Sequence, residues 1–378
     1  MIEIDYLEIL DASKTPIGII DTAKSIIWHS VYFGTGDFEI YAQATEEHMS
    51  LLQIGYYVTR NGTNDVGIIE SINVSFSIND GYMIAASGRF AKSILDRRLI
   101  YKLSGNTNTP TILTGLVEVA ARQLVLDNAI NCSFDSRRNI PNFALGQLKG
   151  FQAQIVDYNG QPAQKQVSYQ NLLEYTDELL HEYGLAAKVH INESNKNWLY
   201  TVYTGTDRSA SNTGGYEPII LSIDYDNLNS SNYLYDNISL KNAVLIGGEG
   251  EGLERFYSLL TSGDTGLQLR EVFCDASSIN RNYEDENTGT EQTYTDAEYT
   301  AMLNQQGKAK LQEQIANEQF SGDVNVSFGT YQFNRDYFLG DIVTIQDNNI
   351  NKFINNRITE ATEVQDDNGY SVDIVFGE

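Results

Sequence analysis

The sequence predicts a β-rich α+β chain in which two β units, the first of them a small barrel, flank a middle α+β region. Three observations carry that prediction. Apolar residues alternate with polar ones over most of the first hundred and last hundred residues. Helical spacing appears only in the middle and in one later stretch. Tyr is frequent at 24 and Pro scarce at 5, and Asn-Gly and Asp-Gly turns recur, as strand-rich chains require.

Alternation in the segment 1–100 begins with Ile2, Ile4, Tyr6 and Leu7. It continues through SIIWHSVYF, DFEIYA, GIIESINVSFSI and GYMIAASGRF, with NGTND and NDG as turns. Five or more antiparallel strands follow from this, closing on the short helical stretch FAKSILDRR.

The period changes in the segment 101–240. Thr109 and Pro110 read as an N-cap and first-turn pair, and Ile112, Leu113, Leu116, Val117, Ala120 and Leu124 follow at helical spacing, predicting a helix of about four turns. A second helix is expected after Ser168, carrying Leu172, Leu173, Tyr175, Leu179, Leu180 and Tyr183 and stopping at Gly184. AAKVHI and WLYTVYTG read as a hairpin. DRSASNTGGYEP and DYDNLNSSNYLYDN read as polar connectors.

Strands resume in the segment 241–378 with KNAVLIGG, RFYSLL and LQLREVFCDAS. After the acidic stretch NRNYEDENTGTEQ, Thr295 and Glu298 form a capping box that opens an inserted helix near 295–320, with Gly307 in its interior. DVNVSFGTY, DIVTIQ, NKFINNRITEATEVQ and YSVDIVFG complete a second β unit, the last two joined through DDNG.

Charge excludes several functions. Against 25 Lys and Arg stand 51 Asp and Glu, a formal net charge of -26 with a pI near 4.4. Such a surface repels polyanions, so neither nucleic-acid wrapping nor membrane docking through a basic patch is expected. Cys132 and Cys274 lack the spacing of a zinc site or a disulfide framework. The N-terminus shows no signal peptide and no apolar run approaches a membrane span, which predicts synthesis in a host cytoplasm.

Candidate chemistry is sparse. GGEGEGLERF, residues 247–256, leaves a strand as a phosphate loop would. Gly248 and Gly250 fit the dinucleotide spacing, but Leu253 stands at the third position, no P-loop lysine follows, and Glu249, Glu251 and Glu254 put negative charge where phosphate would sit. The expected use of Gly248, Gly250 and Gly252 is a tight turn or bulge against the chain or a neighbouring subunit. Gly340 and Asp341 are expected to form a second structural turn, within RDYFLGDIVTI. HEYGL begins at His181 like a zinc-protease helix, but Leu185 replaces the second ligand; His29 and His48 read as surface or strand-face residues. DYDNLNSSNYLYDN has oxygen donors for calcium yet lacks the glycine and terminal glutamate of an EF-hand loop. No catalytic residue, cofactor site or metal site is expected.

In order along the chain stand SIIWHSVYFGTGDFEIYA, GRFAKSILDRRLI, RRNIPNF, YTGTDRS, KNAVLIGGEGEGLER and RDYFLGDIVTI. This series resembles the siphophage tail proteins of the ReqiPepy type, themselves similar to the baseplate hub of contractile tails. The resemblance implies two tail-tube-like β-barrel domains beside α+β domains, and a homotrimer at the tail tip or baseplate of the virion. Six barrels in a three-fold ring would match a six-fold tail tube. Implied partners are the distal tail protein or tail-tube ring, the tape measure protein and tip or receptor-binding proteins, with DNA passing only transiently through the lumen. Three copies would carry three times -26, or -78, and an acidic lumen would let DNA slide without sticking. The chain ends at YSVDIVFGE, from which no hydrolase or receptor-binding module is expected. The alternatives are a cell-wall-degrading enzyme and a glycan-binding tail-tip protein.

Overall fold

The computed structural model describes residues 3–157, 160–192, 194–284, 290–326 and 331–377. Ile2, residues 285–289 of the acidic stretch and residues 327–330 of the anticipated DVNVSFGTY strand lie outside that set. Two compact units form, each discontinuous in sequence. Unit 1 comprises Met1–Ile94, Ala186–Leu234 and Glu318–Glu378, and unit 2 comprises Leu95–Leu185 and Tyr235–Asn317. These units cut across the linear segments 1–100, 101–240 and 241–378, because strands from both chain ends pair in one sheet.

The N-terminal strands of unit 1 are β1 (Leu7–Leu10), β2 (Pro16–Ile20), β3 (Ser25–Val31), β4 (Asp37–Gln43), β5 (Tyr57–Arg60), β6 (Gly67–Ile68), β7 (Ser71–Ser77) and β8 (Gly81–Arg89). The central strands are β9 (Ala186–Ile191), β10 (Trp198–Tyr203), β11 (Ile220–Ser222) and β12 (Asn232–Asp236). The C-terminal strands are β13 (Asn317–Val324), β14 (Ile342–Asp347), β15 (Lys352–Asp366) and β16 (Gly369–Gly377). A long sheet runs in the order β12-β13-β16-β15-β3-β4-β8-β7, with β14 and β11 branching from β15.

Period-two patterning explains the layering. In β3, Ile26, Trp28 and Ser30 point inward, and in β4 Phe38, Ile40 and Ala42 do so. They meet Leu7, Ile9, Ile20 and Val58 of a second sheet, ordered β2-β1-β5-β6, and form a first core. Trp28 lies at its centre, 4.8 Å from the Phe90 ring and 5.8 Å from Phe38. The short helix α1 (Glu46–Leu51), capped by Thr45, adds Leu51 to this core. A second core gathers Ile219, Leu221, Phe320, Val343, Ile345, Ile358, Ile374 and Phe376 under the β15 half of the long sheet. Both sheet orders end in edge strands.

The β9–β10 hairpin forms as expected, with Ala186 opposite Tyr203 and Ile191 opposite Trp198. Part of the tract expected to be a connector is instead edge strand β12, because Tyr233 packs against the second core. At the final hairpin, Gly369 takes φ +111° between β15 and β16.

In unit 2 the first helix differs from its prediction. Residues Thr111–Thr114 are a strand paired with Gln164–Val167, Gly115 turns at φ +75°, and α2 spans Val117–Val125 with Leu116 at its N-cap. Three of the four residues in Thr-Ile-Leu-Thr are β-branched, which favours extended backbone once a partner strand is present, and this overrides the Thr109–Pro110 signal. A π turn over Leu126–Ile130 extends α2. Helix α3 (Leu172–His181) is capped by Asn171, whose side chain accepts from the N–H groups of Leu173 and Glu174. The chain leaves α3 through Gly184 at φ +66°, with Leu185 N–H donating to Leu180 at 3.0 Å.

Helix α4 (Asp296–Gln312) opens on the Thr295–Glu298 capping box. It ends before the expected residue 320, since Asn317 onward pairs as β13. Tyr299, Met302 and Leu303 of α4 pack on Val244, Ile246 and Cys274 of a three-stranded sheet formed by Tyr257–Thr261, Ala243–Gly247 and Glu271–Asp275. Gly307 does not break the helix; it lets helix and sheet approach closely. A Cβ there would stand 2.5 Å from Ile246 Cδ1 and 3.1 Å from Val244 Cγ1. Gly307→Val is therefore expected to destabilise the chain by about 1–3 kcal/mol, measured as a fall in denaturant midpoint, whereas Gly→Ala replacement at an exposed helix position would ordinarily stabilise.

Candidate functional site

Three of the sequence motifs converge in unit 1 around Gly340 and Asp341. Asp341 is buried, and its carboxylate accepts from Thr206 N–H at 2.7 Å, Arg208 Nε at 3.0 Å and Phe338 N–H at 3.0 Å. Gly340 adopts φ +91°, and a Cβ there would lie 2.4 Å from the Tyr32 ring. Arg357 donates to Gly340 O at 2.6 Å while its guanidinium sits 5.0 Å from the Tyr32 ring centre. SIIWHSVYF, YTGTDRS and RDYFLGDIVTI thus meet in one node of buried charge and close backbone packing. Its carboxylate accepts from three donors on two chain segments, which anchors those segments to each other.

The last six residues of GRFAKSILDRRLI meet RRNIPNF in unit 2. Buried Arg138 donates to the carbonyls of Leu99 and Tyr101 and lies 3.9 Å from the Tyr101 ring centre, while Arg98 Nε donates to Arg138 O at 2.7 Å. The glycine stretch, also in unit 2, is a turn between two antiparallel strands. Gly248 N–H donates to Phe256 O at 2.8 Å, and Phe256 N–H to Glu249 O at 3.0 Å. Tyr299 Oη accepts from Glu249 N–H at 2.8 Å and donates to Ile279 O at 2.7 Å. Gly248 borders that hydroxyl, Gly250 takes φ +100° with its Cβ position 2.6 Å from Glu254 O, and Gly252 takes φ +56° in open space. Within the turn the amides of Gly248, Glu249, Glu254 and Phe256 donate to groups of the chain, and the loop's exposed side chains include Glu251 and Glu254.

The histidines do not assemble a site. His29 lies on a strand face between Asp37 at 3.2 Å and Glu360 at 3.3 Å. His48, contrary to the surface reading, is buried in α1, where Nδ1 donates to Gln43 O at 2.7 Å. Cys132 and Cys274 are buried free thiols, and burial pushes the Cys274 thiol up to about 11. Among the described residues, no group of three or more His, Cys, Asp or Glu is placed to hold a metal ion.

Two features escaped the sequence. One is a buried ion pair in unit 1 between Arg60 on β5 and Glu363 on β15, both almost wholly inaccessible. Tyr370 Oη also donates to Glu363, and the Arg60 guanidinium is 5.5 Å from the Trp28 ring centre. Burial nevertheless raises the Glu363 carboxyl above its ordinary value, outweighing Arg60. The other is the face of the long sheet turned away from both cores. Registers place Asp37 and Glu39 of β4, Glu360 of β15, Asp373 of β16 and Asp323 of β13 there, among Ser71, Asn73, Ser75, Ser87 and Thr362. Arg89 on β8 is held in a two-pronged pair with Glu70. Asp323 and Asp373 stand directly opposite each other, and burial together with Asp323 raises the Asp373 carboxyl. Alternating acids in DFEIYA hinted at this face; strand neighbours 50 to 330 residues apart concealed it.

The sequence matches, over residues 6–378, the family described as Siphovirus ReqiPepy6 Gp37-like protein, and the chain belongs to that family. Among solved structures it is similar to the 43 kDa tail protein of prophage MuSo2 from Shewanella oneidensis, with a TM-score of 0.57, 13% identity and coverage of 99% of this chain and 98% of that one. It is likewise similar to the tail protein from Neisseria meningitidis MC58, with a TM-score of 0.57, 13% identity and coverage of 99% and 96%. At such identities the likeness shows a shared fold. No curated protein matches the sequence significantly.

The two glycines of the turn are expected to differ under substitution. Gly250→Asn should cost about 1–3 kcal/mol, while Gly252→Asn, in a left-handed conformation open to solvent, should cost less than about 1 kcal/mol; thermal melts of the two variants make the comparison. Asp373 gives a pH test. Folded Asp373 holds its proton more tightly than the unfolded chain does, so its ionisation removes stability as pH rises from 3.8 toward the folded value. Asp373→Asn should therefore stabilise by about 0.2–1 kcal/mol at neutral pH, with the gain vanishing below pH 3.8 in urea titrations.

Proposed function

We propose that three copies of this chain form a hub ring at the distal end of the tail tube, adapting a six-fold tube to a three-fold tip and leaving a channel for DNA. The observation that carries this reading is the long sheet of unit 1. Four strands lie on each side of the β3–β15 junction, and each half covers its own hydrophobic core. In this reading the two halves are the two tube-like β domains, one built mainly from residues 4–90 and the other from residues 219–376. Three chains supply six such halves, with edge strand β7 of one copy meeting edge strand β12 of the next.

The edges are suited to that role. β7, the β7–β8 turn and the start of β8 expose Val74, Phe76, Ile78 and Tyr82, and β12 exposes Leu234 and Tyr235. Exposed apolar side chains on unpaired strand edges favour strand addition over solvation. The face bearing Asp37, Glu39, Asp323, Glu360 and Asp373 would line the channel. Keeping Asp323 opposite Asp373 has a stability cost, and repulsion of the DNA backbone gives that cost a use. The turns at Gly248–Gly252 and Gly340–Asp341 hold the units in shape for assembly. The tail-tube or distal tail protein, the tape measure protein and tip proteins are the partners of such a ring.

Light scattering of the purified chain should give about 127 kDa, three times 42.3 kDa, and electron microscopy a three-fold ring. A Val74→Asp, Phe76→Asp variant should run as a folded monomer with unchanged circular dichroism. A wild-type chain that remains monomeric at high concentration, or a trimer indifferent to the double substitution, counts against this arrangement. A ring whose channel surface is neutral or basic removes the DNA-repulsion role.

A further inference from the structure

The strand NAVLIGG is apolar on both faces, and α4 accounts for only one of them. Val244 and Ile246 are buried against α4. Leu245, between them, points the other way, 42% exposed. Its cross-strand neighbours are Leu259 on one side and Phe273 on the other, 58% and 48% exposed. These three side chains form a continuous row across the whole sheet. Tyr257 extends the row, and Leu253 and Leu267, in the loops that join the strands, stand fully in solvent. A strand that reads as an unbroken apolar run is one buried on both faces, and a contiguous exposed patch of this kind marks an interaction site.

The rim identifies what covers it. Glu271 and Asp275 flank Phe273 on the same strand face, and Glu251, Glu254 and Asp264 are exposed in the loops that join the strands. Arg255, a basic residue at the same rim, donates to Gly247 O at 3.0 Å and Gly248 O at 3.1 Å, lies near the rings of Tyr257 and Phe273, and pairs with Asp275, so that it offsets one of those five carboxylates. Two copies meeting through this face would press carboxylate rim against carboxylate rim in a partly desolvated contact. A segment carrying Lys or Arg on either side of apolar residues would gain at both centre and rim. Three strands at about 4.8 Å spacing present a strip that one helix or one extended segment covers.

We propose that the outer face of this sheet is the docking surface for a short apolar segment flanked by Lys or Arg on a different polypeptide. This surface lies in unit 2 and does not depend on ring formation. The test pans a random linear peptide library displayed on yeast against the full-length chain. Expected is enrichment of peptides with large apolar residues between basic ones. Their affinity should fall about tenfold or more for Leu245→Asp and for Phe273→Asp, and weaken with added salt and for Glu271→Lys. Because Leu245 and Phe273 are exposed, both variants should keep the wild-type melting temperature; Leu259→Lys is the second probe should either fail to fold. Enriched peptides that bind the variants unchanged, an acidic consensus, or no enrichment would overturn the proposal. Self-association of the wild type that Leu245→Asp abolishes would overturn it too, assigning the face to a second copy.

Discussion

The pairing of β3 with β15 is the contact on which unit 1 depends. It joins residues 25–31 to residues 360–366, and thereby turns two four-stranded halves into one sheet. Its core side holds the Arg60–Glu363 pair beneath Trp28. Removing two charges from water is costly, and the ion pair offsets that cost only while the geometry is kept. A slip of one residue along β15 would turn Glu363 out and bring Thr362 in. The buried pair therefore acts as a register pin: weak as a source of net stability, strong as a penalty on wrong pairings.

Other buried polar groups in the chain serve the same purpose. Asp341 gathers donors from Thr206, Arg208 and Phe338. Arg138 binds the backbone of Leu99 and Tyr101. Tyr299 ties α4 to Glu249 and Ile279. Each links chain segments distant in sequence, and each is satisfied by protein groups, leaving little reactivity to spare. Motifs that look chemical in a linear reading, with their Asp, Arg and glycine residues, here fasten one part of the fold to another.

Much of the fold was legible because it rests on local patterns. Alternation located β3, β4, β8 and β16; the Thr295–Glu298 box located the start of α4; Gly184 located the end of α3. The Thr109–Pro110 cap failed because Thr111–Thr114 found a partner strand at 164–167, a tertiary event that local propensity does not contain. Tyr233 and its neighbours became an edge strand for the same reason. The glutamates and missing third glycine of GGEGEGLERF argued for a turn from local sequence, whereas the roles of Gly248 beside Tyr299 and Gly307 beside Ile246 needed the packed helix.

Family membership, β-rich class, acidic character and most element positions were determined by the sequence itself, since they depend on residue order, charge and near-neighbour periodicity. Only the tertiary structure decided that both chain ends share one sheet, that Arg60 meets Glu363, that five carboxylates from four strands share a face, and that Leu245, Leu259 and Phe273 align in an exposed row. Those facts depend on which strands are neighbours and in what register. Strand pairing is fixed by the summed burial and hydrogen bonding of the whole chain, and no short window of residues encodes it.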